Sequence, residues 1–455
     1  MPHKKMLTSG ATPQEVARDL APLVAFQEAG MAWADVETLL HERLLPHLMQ
    51  YGSPTFQSMF NALPEEGARR GAEMALAWNQ GVTNWQVSPG GAMLEELCGR
   101  ALCRLFGLPP TADATFMYSG TYANQEAIYL ALHWFAEQQG VNLAHGGVAA
   151  FPQPDKLRLL VSKDAHFSVK QAVRMLGLGE QCLQLLPVDR NRRVDVAATR
   201  ALVAELQPAH PVFCIVATSG TTSTGSVDPI APLGELAREV GAWLHVDGAY
   251  GFAYKLVPEW AHLFAGDELA DSISWDPHKQ MGIPIPNSLL FVQRGDDFGR
   301  MTLHSGYFNR AEDVEPNPGL KSPPTTRPFS ALPLVTSMLT LGLAQLREQL
   351  RSPLLAVREL AAYLQTQPDV ELWHQPDTGI ICFRVVPKGV KTAVLNKLQR
   401  WLYEKTMQGG ERSVSLTTLD GEVVLRLVVV VPTHVTHLIE TVTSLQEMAR
   451  DFGQD

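Results

Sequence analysis

Cysteine is scarce: Cys98, Cys103, Cys182, Cys214 and Cys382 are the only five in 455 residues. Their number is odd, and no pair has the spacing of a metal ribbon or a thioredoxin-type redox motif. A disulfide framework is therefore excluded, and reduced core thiols are expected. Long apolar runs are missing too. The most continuous one, residues 423–431, is interrupted by Arg426 and falls short of the roughly 20 residues that cross a bilayer. The opening MPHKKMLTSGATPQEV begins basic but never enters the apolar stretch of a secretory signal, so a soluble, cytoplasmic protein with no membrane partner is expected. There is no basic excess either: 37 Lys and Arg stand against 47 Asp and Glu, a net charge of -10, which leaves no footprint for a nucleic-acid backbone. Hydrophobic residues make up 45% and charged residues 18%, far from the composition of a disordered chain.

What is present reads as two or three domains. Residues 1–86 read as an N-terminal helical arm, in which TLLHERLLPHLMQY carries apolar residues at helix spacing before the loop Gly52-Ser53-Pro54. Residues 87–345 form the large domain. Within it the runs LRLLVSKDA (157–165), VFCIVATSG (212–220), GAWLHVDGA (241–249) and SLLFVQRG (288–295) are apolar on both faces and alternate with helical stretches. That pattern predicts an α/β core with a mainly parallel sheet covered on both sides. The proline-rich stretch 312–328 is long enough to suggest a functional loop or lid. Residues 346–455 read as a small α+β domain, with strands at 379–386 and 423–431 and a helix at 391–405.

The sharpest chemical signal is SISWDPHKQ, which places Lys279 just after a predicted strand. Asp247 closes another strand, WLHVD, and the 32 positions between them leave room for a helix and one more strand. In an open parallel sheet both side chains then emerge at the carboxyl edge, where ligands bind. An aspartate and a lysine at neighbouring strand ends suit pyridoxal phosphate: the amine forms a Schiff base with the aldehyde, and the carboxylate keeps the pyridine nitrogen protonated. A phosphate cradle is available in YSGTYANQEAIYLALHWF, where Ser119, Gly120 and Thr121 open a strongly periodic helix. An ordinary N-cap using Ser119 or Thr121 is the other reading of that turn. His166, in SKDAHFSVKQA, follows a further strand and can stack on a cofactor ring, and Thr218 ends the strand before the turn Gly220-Thr221-Thr222.

In this order, SPGGAMLEELCGRAL (88–102), SGTYAN, DAHFSVKQA, HVDGAY and DPHK resemble the group II pyridoxal-phosphate-dependent amino acid decarboxylases, which include the aromatic amino acid and glutamate decarboxylases. The resemblance runs from about Ser53 to the C-terminal helix. It implies a fold-type I enzyme with a seven-stranded-type sheet, a homodimer with the active site at the interface, and an L-amino acid substrate decarboxylated to its amine. By the same resemblance Lys279 is the Schiff-base residue, Asp247 the partner of the pyridine nitrogen and His166 the stacking group. Gly120, Thr121, Ser272 and His278 are implied at the phosphate end, with Thr218 and Ala249 packed near the ring.

Two departures stand out. The loop 312–328 holds neither the tyrosine that reprotonates Cα in many family members nor the phenylalanine of aldehyde-forming relatives, and Tyr307 stands earlier. The segment SPTFQSMFNAL differs from the family's HPxFF, with Met59, Phe60 and Asn61 at positions implied to set substrate selectivity and no arginine there for an acidic side chain. Oxidative decarboxylation to an aldehyde, transamination and a cofactor-free binding role are the alternatives. There is no P-loop, GxGxxG, HExxH or GxSxG motif, and no metal is expected.

Overall fold

The computed structural model describes residues 6–306, 309–310, 312 and 314–453. Its central sheet is built from β1 (Asp113–Met117), β2 (Arg158–Ser162), β3 (Leu183–Leu186), β4 (Val212–Thr218), β5 (Trp243–Asp247), β6 (Ser272–Trp275) and β7 (Ser288–Val292), in the order β1-β7-β6-β5-β4-β2-β3. Neighbours from β6 through to β3 run parallel, and β7 is antiparallel to both β1 and β6. Every residue of β4 is buried, as a strand covered on both faces requires. A second, antiparallel sheet is formed by β8 (Val370–Leu372), β9 (Ile380–Val385), β10 (Ser415–Leu419) and β11 (Glu422–Val428).

The helices are α1 (Pro13–Leu20), α2 (Trp33–Arg43), α3 (Glu66–Trp78), α4 (Pro89–Leu105), α5 (Gly120–Gln138), α6 (Leu143–Gly146), α7 (Phe167–Met175), α8 (Val196–Leu206), α9 (Ile230–Val240), α10 (Pro277–Gln280), α11 (Ala331–Gln365), α12 (Thr392–Gly409) and α13 (Val435–Ala449). One face of the large sheet buries Phe106 stacked on Phe252 at 4.4 Å and edge-on to Trp275 at 5.1 Å. The opposite face buries Phe213 and Trp243 beneath α5, which packs across β4 to β7 and contributes Phe135. This places the first turn of α5 over the strand ends that carry the site. Helices α1 and α2 bury no residue of their own, whereas α3 buries Gly67, Ala68 and Gly71 along α11. α11 is broken at Gly342, whose φ of 66° no β-carbon-bearing residue adopts cheaply.

Three expectations need correction. No α-helix joins β5 to β6; 3₁₀ turns at Phe252–Leu256, Ala261–Phe264 and Asp267–Leu269 make the crossing, because Pro258 and Gly266 interrupt any longer helix. β1, β3, β8 and β10 are not among the expected strands; each carries polar or charged residues that break up its apolar run. Finally, the proline-rich stretch is a strap and not a lid. Its main chain is tied to residues 82–85 through Val82 N to Arg327 O (2.9 Å), Trp85 N to Pro316 O (3.1 Å) and Gly319 N to Thr83 O (2.7 Å). Arg327, buried, pairs with Glu95, and Lys321 bridges Glu96 and Asp113 at 2.6 Å each. Removing Arg327 would leave the buried Glu95 carboxylate unpaired, so the strap is fixed by charge burial.

Candidate active site

The period of two along β5 puts Trp243, His245 and Asp247 on one face, towards α5 and the serines of β6. Asp247 is buried at the strand end, in register with Thr218 on β4. Its Oδ2 accepts from Asn124 Nδ2 at 2.9 Å, and its Oδ1 accepts from Ala249 N and from Ser274 Oγ, each at 3.2 Å. Asn124 lies one turn into α5, and its Nδ2 also donates to Ser168 Oγ at 2.9 Å. A carboxylate accepts only, so the Asn124 amide orientation is fixed and its Oδ1 must accept from His245 Nε2 at 3.0 Å. His245 Nδ1 is then the acceptor for Ser272 Oγ (2.9 Å), which in turn accepts from Trp243 Nε1 (2.9 Å). A directional chain of four side chains therefore ends on Asp247. Burial drives the His245 pKa down to about 4, against the opposing pull of Asp247, in keeping with a neutral ring that carries its proton on Nε2.

This chain corrects one expectation. Ser272 is at the start of β6, at the far end of the strand from Lys279, and its hydroxyl is engaged by Trp243 and His245. It supports Asp247 and takes no place at the phosphate end.

Beyond β6 the chain turns through Asp276 into α10, a single turn that Pro277 starts and that carries His278 and Lys279. The Asp276 N–H donates to the carbonyl of Ala249 at 3.1 Å, tying the ends of β5 and β6 together. Lys279 Nζ lies 3.0 Å from Asp276 Oδ2 and 5.5 Å from the centre of the Phe60 ring. His278 Nδ1 is 2.6 Å from the carbonyl of Asn287, and burial lowers its pKa. His166 caps α7, its Nδ1 accepting from Ser168 N at 3.2 Å, which leaves Nε2 to carry the proton. Burial lowers the pKa of His166, Asp247 pulls it upward and Lys279 pushes it further down, so the ring is neutral and close to both charges.

Ser119 caps α5 by accepting from Tyr122 N, as the ordinary capping reading has it. The cap leaves the first-turn N–H groups of Gly120 and half-buried Thr121 facing the site. A β-carbon on Gly120 would stand 2.7 Å from Asp276 Oδ2 and 3.1 Å from Ala249 Cβ, so only glycine permits this approach. Thr218 Oγ1, Ser219 Oγ and Asp276 Oδ1 are buried here without a hydrogen-bond partner. Free N–H groups at a helix start, orphaned hydroxyls, a lysine and a fixed carboxylate fit pyridoxal phosphate: Lys279 for its aldehyde, Asp247 for its ring nitrogen, and the α5 turn for its phosphate.

The segment 53–63 also reaches the site, but unequally. Phe60 packs on Tyr250 at 4.9 Å and beneath Lys279. Met59 is largely exposed, its sulfur 3.5 Å from Arg426 Nη2, and Asn61 is half-buried without a side-chain hydrogen bond among the described residues. The arginine missing from this segment comes instead from β11. Arg426 is buried, lies 5.7 Å from the Phe60 ring, and bonds Ser415 Oγ (2.8 Å), Ser58 O (3.2 Å) and the carbonyl of Thr222. No carboxylate pairs with it among the described residues. Tyr307 lies outside the described residues.

Asn124, His245, Asp276 and Arg426 were not singled out from the sequence. A signal existed for each: His245 shares the face of Asp247, Asn124 is one turn from Gly120, Asp276 opens the lysine turn, and Arg426 is the lone charge in the apolar run 423–431.

A family model described as the pyridoxal-dependent decarboxylase conserved domain matches residues 13–386. An L-2,4-diaminobutyrate decarboxylase of Acinetobacter baumannii is 28% identical over 82% of this chain and 76% of its own length. An aromatic-L-amino-acid decarboxylase of Bacillus atrophaeus is 25% identical over 84% and 78%. Among solved structures, the glutamate decarboxylase domain of a diaminobutyrate-pyruvate transaminase and L-2,4-diaminobutyrate decarboxylase from Vibrio parahaemolyticus superimposes with a TM-score of 0.88 over 99% of this chain and 92% of that one, at 24% identity.

Proposed function

The chain belongs to the pyridoxal-dependent decarboxylase family, and from that premise we propose that Lys279 carries the cofactor in a reaction that converts an L-amino acid to its amine. The enzyme is a pyridoxal-phosphate-dependent amino acid decarboxylase. The observation that carries the assignment of roles is the juxtaposition of Lys279, in the α10 turn just past β6, with Asp247, held at the end of β5 by the Trp243-Ser272-His245-Asn124 chain.

When bound, pyridoxal phosphate supplies an electron sink for the pair released as the substrate Cα–carboxyl bond breaks. Asp247 holds the ring-nitrogen proton that makes the sink effective, and its own position is set by Asn124 and Ser274. Asp276 keeps the Lys279 amine close to the first turn of α5. The neutral His166 ring covers one face of the site and offers its Nε2 N–H as a donor. Gly120, Thr121 and His278 hold the phosphate, and Thr218 and Ala249 pack at the ring. Arg426, a buried cation without an acidic partner, attracts the substrate carboxylate. Phe60 lines the substrate side, with Met59 and Asn61 at its margin.

The remaining readings are organisational. We infer a homodimer: Val24, Phe26 and Trp33 are exposed on a segment whose helices bury nothing in their own chain, an apolar face suited to a second copy. We take residues 1–86, 87–345 and 346–455 as the arm, the large domain and the small domain. No helix among the described residues is long and apolar enough to cross a membrane, and five buried free thiols suit a reducing, cytoplasmic setting.

The test is incubation with a panel containing L-2,4-diaminobutyrate, aromatic amino acids, aspartate and cysteine sulfinate, with mass analysis of products. Carbon dioxide with the matching amine is expected. An aldehyde or keto acid as the main product would contradict the reading. The wild-type protein should absorb near roughly 420 nm, a band typical of a lysine-bound cofactor, and Lys279→Ala should lack it.

A further inference from the structure

A second carboxylate on α5 has no part in this chemistry. Glu126 lies about two turns beyond Gly120, is 3% exposed, and neither of its side-chain oxygens has a hydrogen-bond partner. Burial pushes its pKa well above the carboxylate range, while Arg327 pulls the other way. A buried carboxyl without partners costs about 1–3 kcal/mol or more, so native proteins seldom keep one idle.

Glu126 lines a cavity of about 500 Å³, a volume suited to a small organic ligand. The wall is mostly aromatic and apolar, with Phe116, Tyr118, Tyr122, Tyr129 and Met301, beside the neutral polar side chains of Gln125, Thr302 and Ser322. It shares no residue with the Lys279 site. Two guanidinium groups also reach it, and both are already committed. Arg327 pairs with Glu95 and bonds Ser322, Thr115 and the Phe116 carbonyl. Arg300 pairs with Glu137 and Asp297. Glu126 is thus the one acid lining this cavity, and the basic groups around it are spent elsewhere.

From this geometry we propose that the cavity is a binding site for a monoammonium compound with an aromatic or apolar body. Both Glu126 oxygens are closed off from solvent, so the side chain turns towards the cavity as the ammonium group donates to it, and the tyrosine rings offer π faces to the cation while the apolar walls take its body. A diamine fits poorly, since the cavity holds no second carboxylate for the other charge.

The test uses holoenzyme reduced with borohydride, so that the cofactor aldehyde cannot react with an added amine, and titrates 2-phenylethylamine by calorimetry. One saturable site per chain is expected, and 2-phenylethanol, the neutral analogue, should bind about tenfold more weakly or worse, as loss of one charge-assisted hydrogen bond implies. Glu126→Gln should erase the preference for amine over alcohol. Met301→Trp, which fills the cavity with Glu126 intact, should abolish binding of both, and it serves as an independent arm should Glu126→Gln fail to fold. No binding to the wild type, equal affinity for amine and alcohol, or unchanged amine binding in either variant would overturn the proposal. The reduced adduct itself reports cofactor attachment, so failure here is distinguishable from failure of the decarboxylase assignment.

Discussion

Behind Asp247, every polar side-chain atom from Trp243 through Ser272, His245 and Asn124 has a partner. Across the site, Thr218 Oγ1, Ser219 Oγ and Asp276 Oδ1 are equally buried and have none. The same strand ends supply both sides, so burial alone does not explain the contrast. The saturated side is preorganised: its dipoles are oriented before any ligand arrives, and they need not reorganise during reaction. The unsatisfied side retains groups that a ligand can complete, each at a cost of about 1–3 kcal/mol while unpaired. A site built this way holds its electrostatic anchor rigid and leaves its binding surface incomplete.

The comparison breaks most severely at the anchor. Asp247→Ala should lower turnover by about two orders of magnitude or more and weaken cofactor retention, as loss of a preorganised charge does. Steady-state kinetics and cofactor dissociation rates check this, and near-normal turnover would remove its role. One step further back, Asn124→Ala should cost about tenfold in turnover, since Asp247 keeps its bonds to Ala249 and Ser274 but loses the one that orients Oδ2. The companion readout is the pH at which the bound cofactor's absorbance titrates, which should shift if Asp247 is displaced.

Ser272→Ala separates the two sides. It leaves the His245 Nδ1 acceptor unmet and should lower unfolding free energy by about 1–3 kcal/mol, while the cofactor dissociation constant changes little. A large loss of cofactor affinity with unchanged stability would return Ser272 to the phosphate end. The smallest effect is one of slope. His245 has a folded-state pKa of about 4, below its unfolded value of about 6.5, so the stability it contributes is present above pH 6.5 and is lost as pH falls towards 4. Within that window one proton changes stability by about 1.4 kcal/mol per pH unit. His166 and His278, also held low by burial, add to the same loss. Denaturant melts from pH 7 to 4 should steepen accordingly, and His245→Gln should remove one proton's worth of slope.

Much of this was legible in the sequence because the strong signals are local. A strand that ends in aspartate, a lysine just past another strand and a glycine at a helix start each declare themselves within a few residues. The Asp247 chain does not. Trp243, Ser272 and Asn124 are brought together only by parallel pairing of β5 with β6 and by α5 lying across them, and no window of sequence contains all three. The resemblance set Ser272 at the phosphate end, but a four-residue strand separates it from the Lys279 turn and puts it at the opposite end. Arg426 was missed as a site residue because it approaches from the other sheet. The strap 312–328 looked like a lid because of its length, whereas the ion pairs of Arg327 and Lys321 that fasten it involve partners some two hundred residues away.

The central claim is that Lys279 carries the cofactor opposite a fixed Asp247. The most direct measurement is borohydride reduction of the holoenzyme followed by proteolysis and mass mapping of the modified peptide. The account predicts a single reduced pyridoxyl-phosphate adduct on Lys279, within SISWDPHKQ. An adduct on any other lysine, or none, would contradict it.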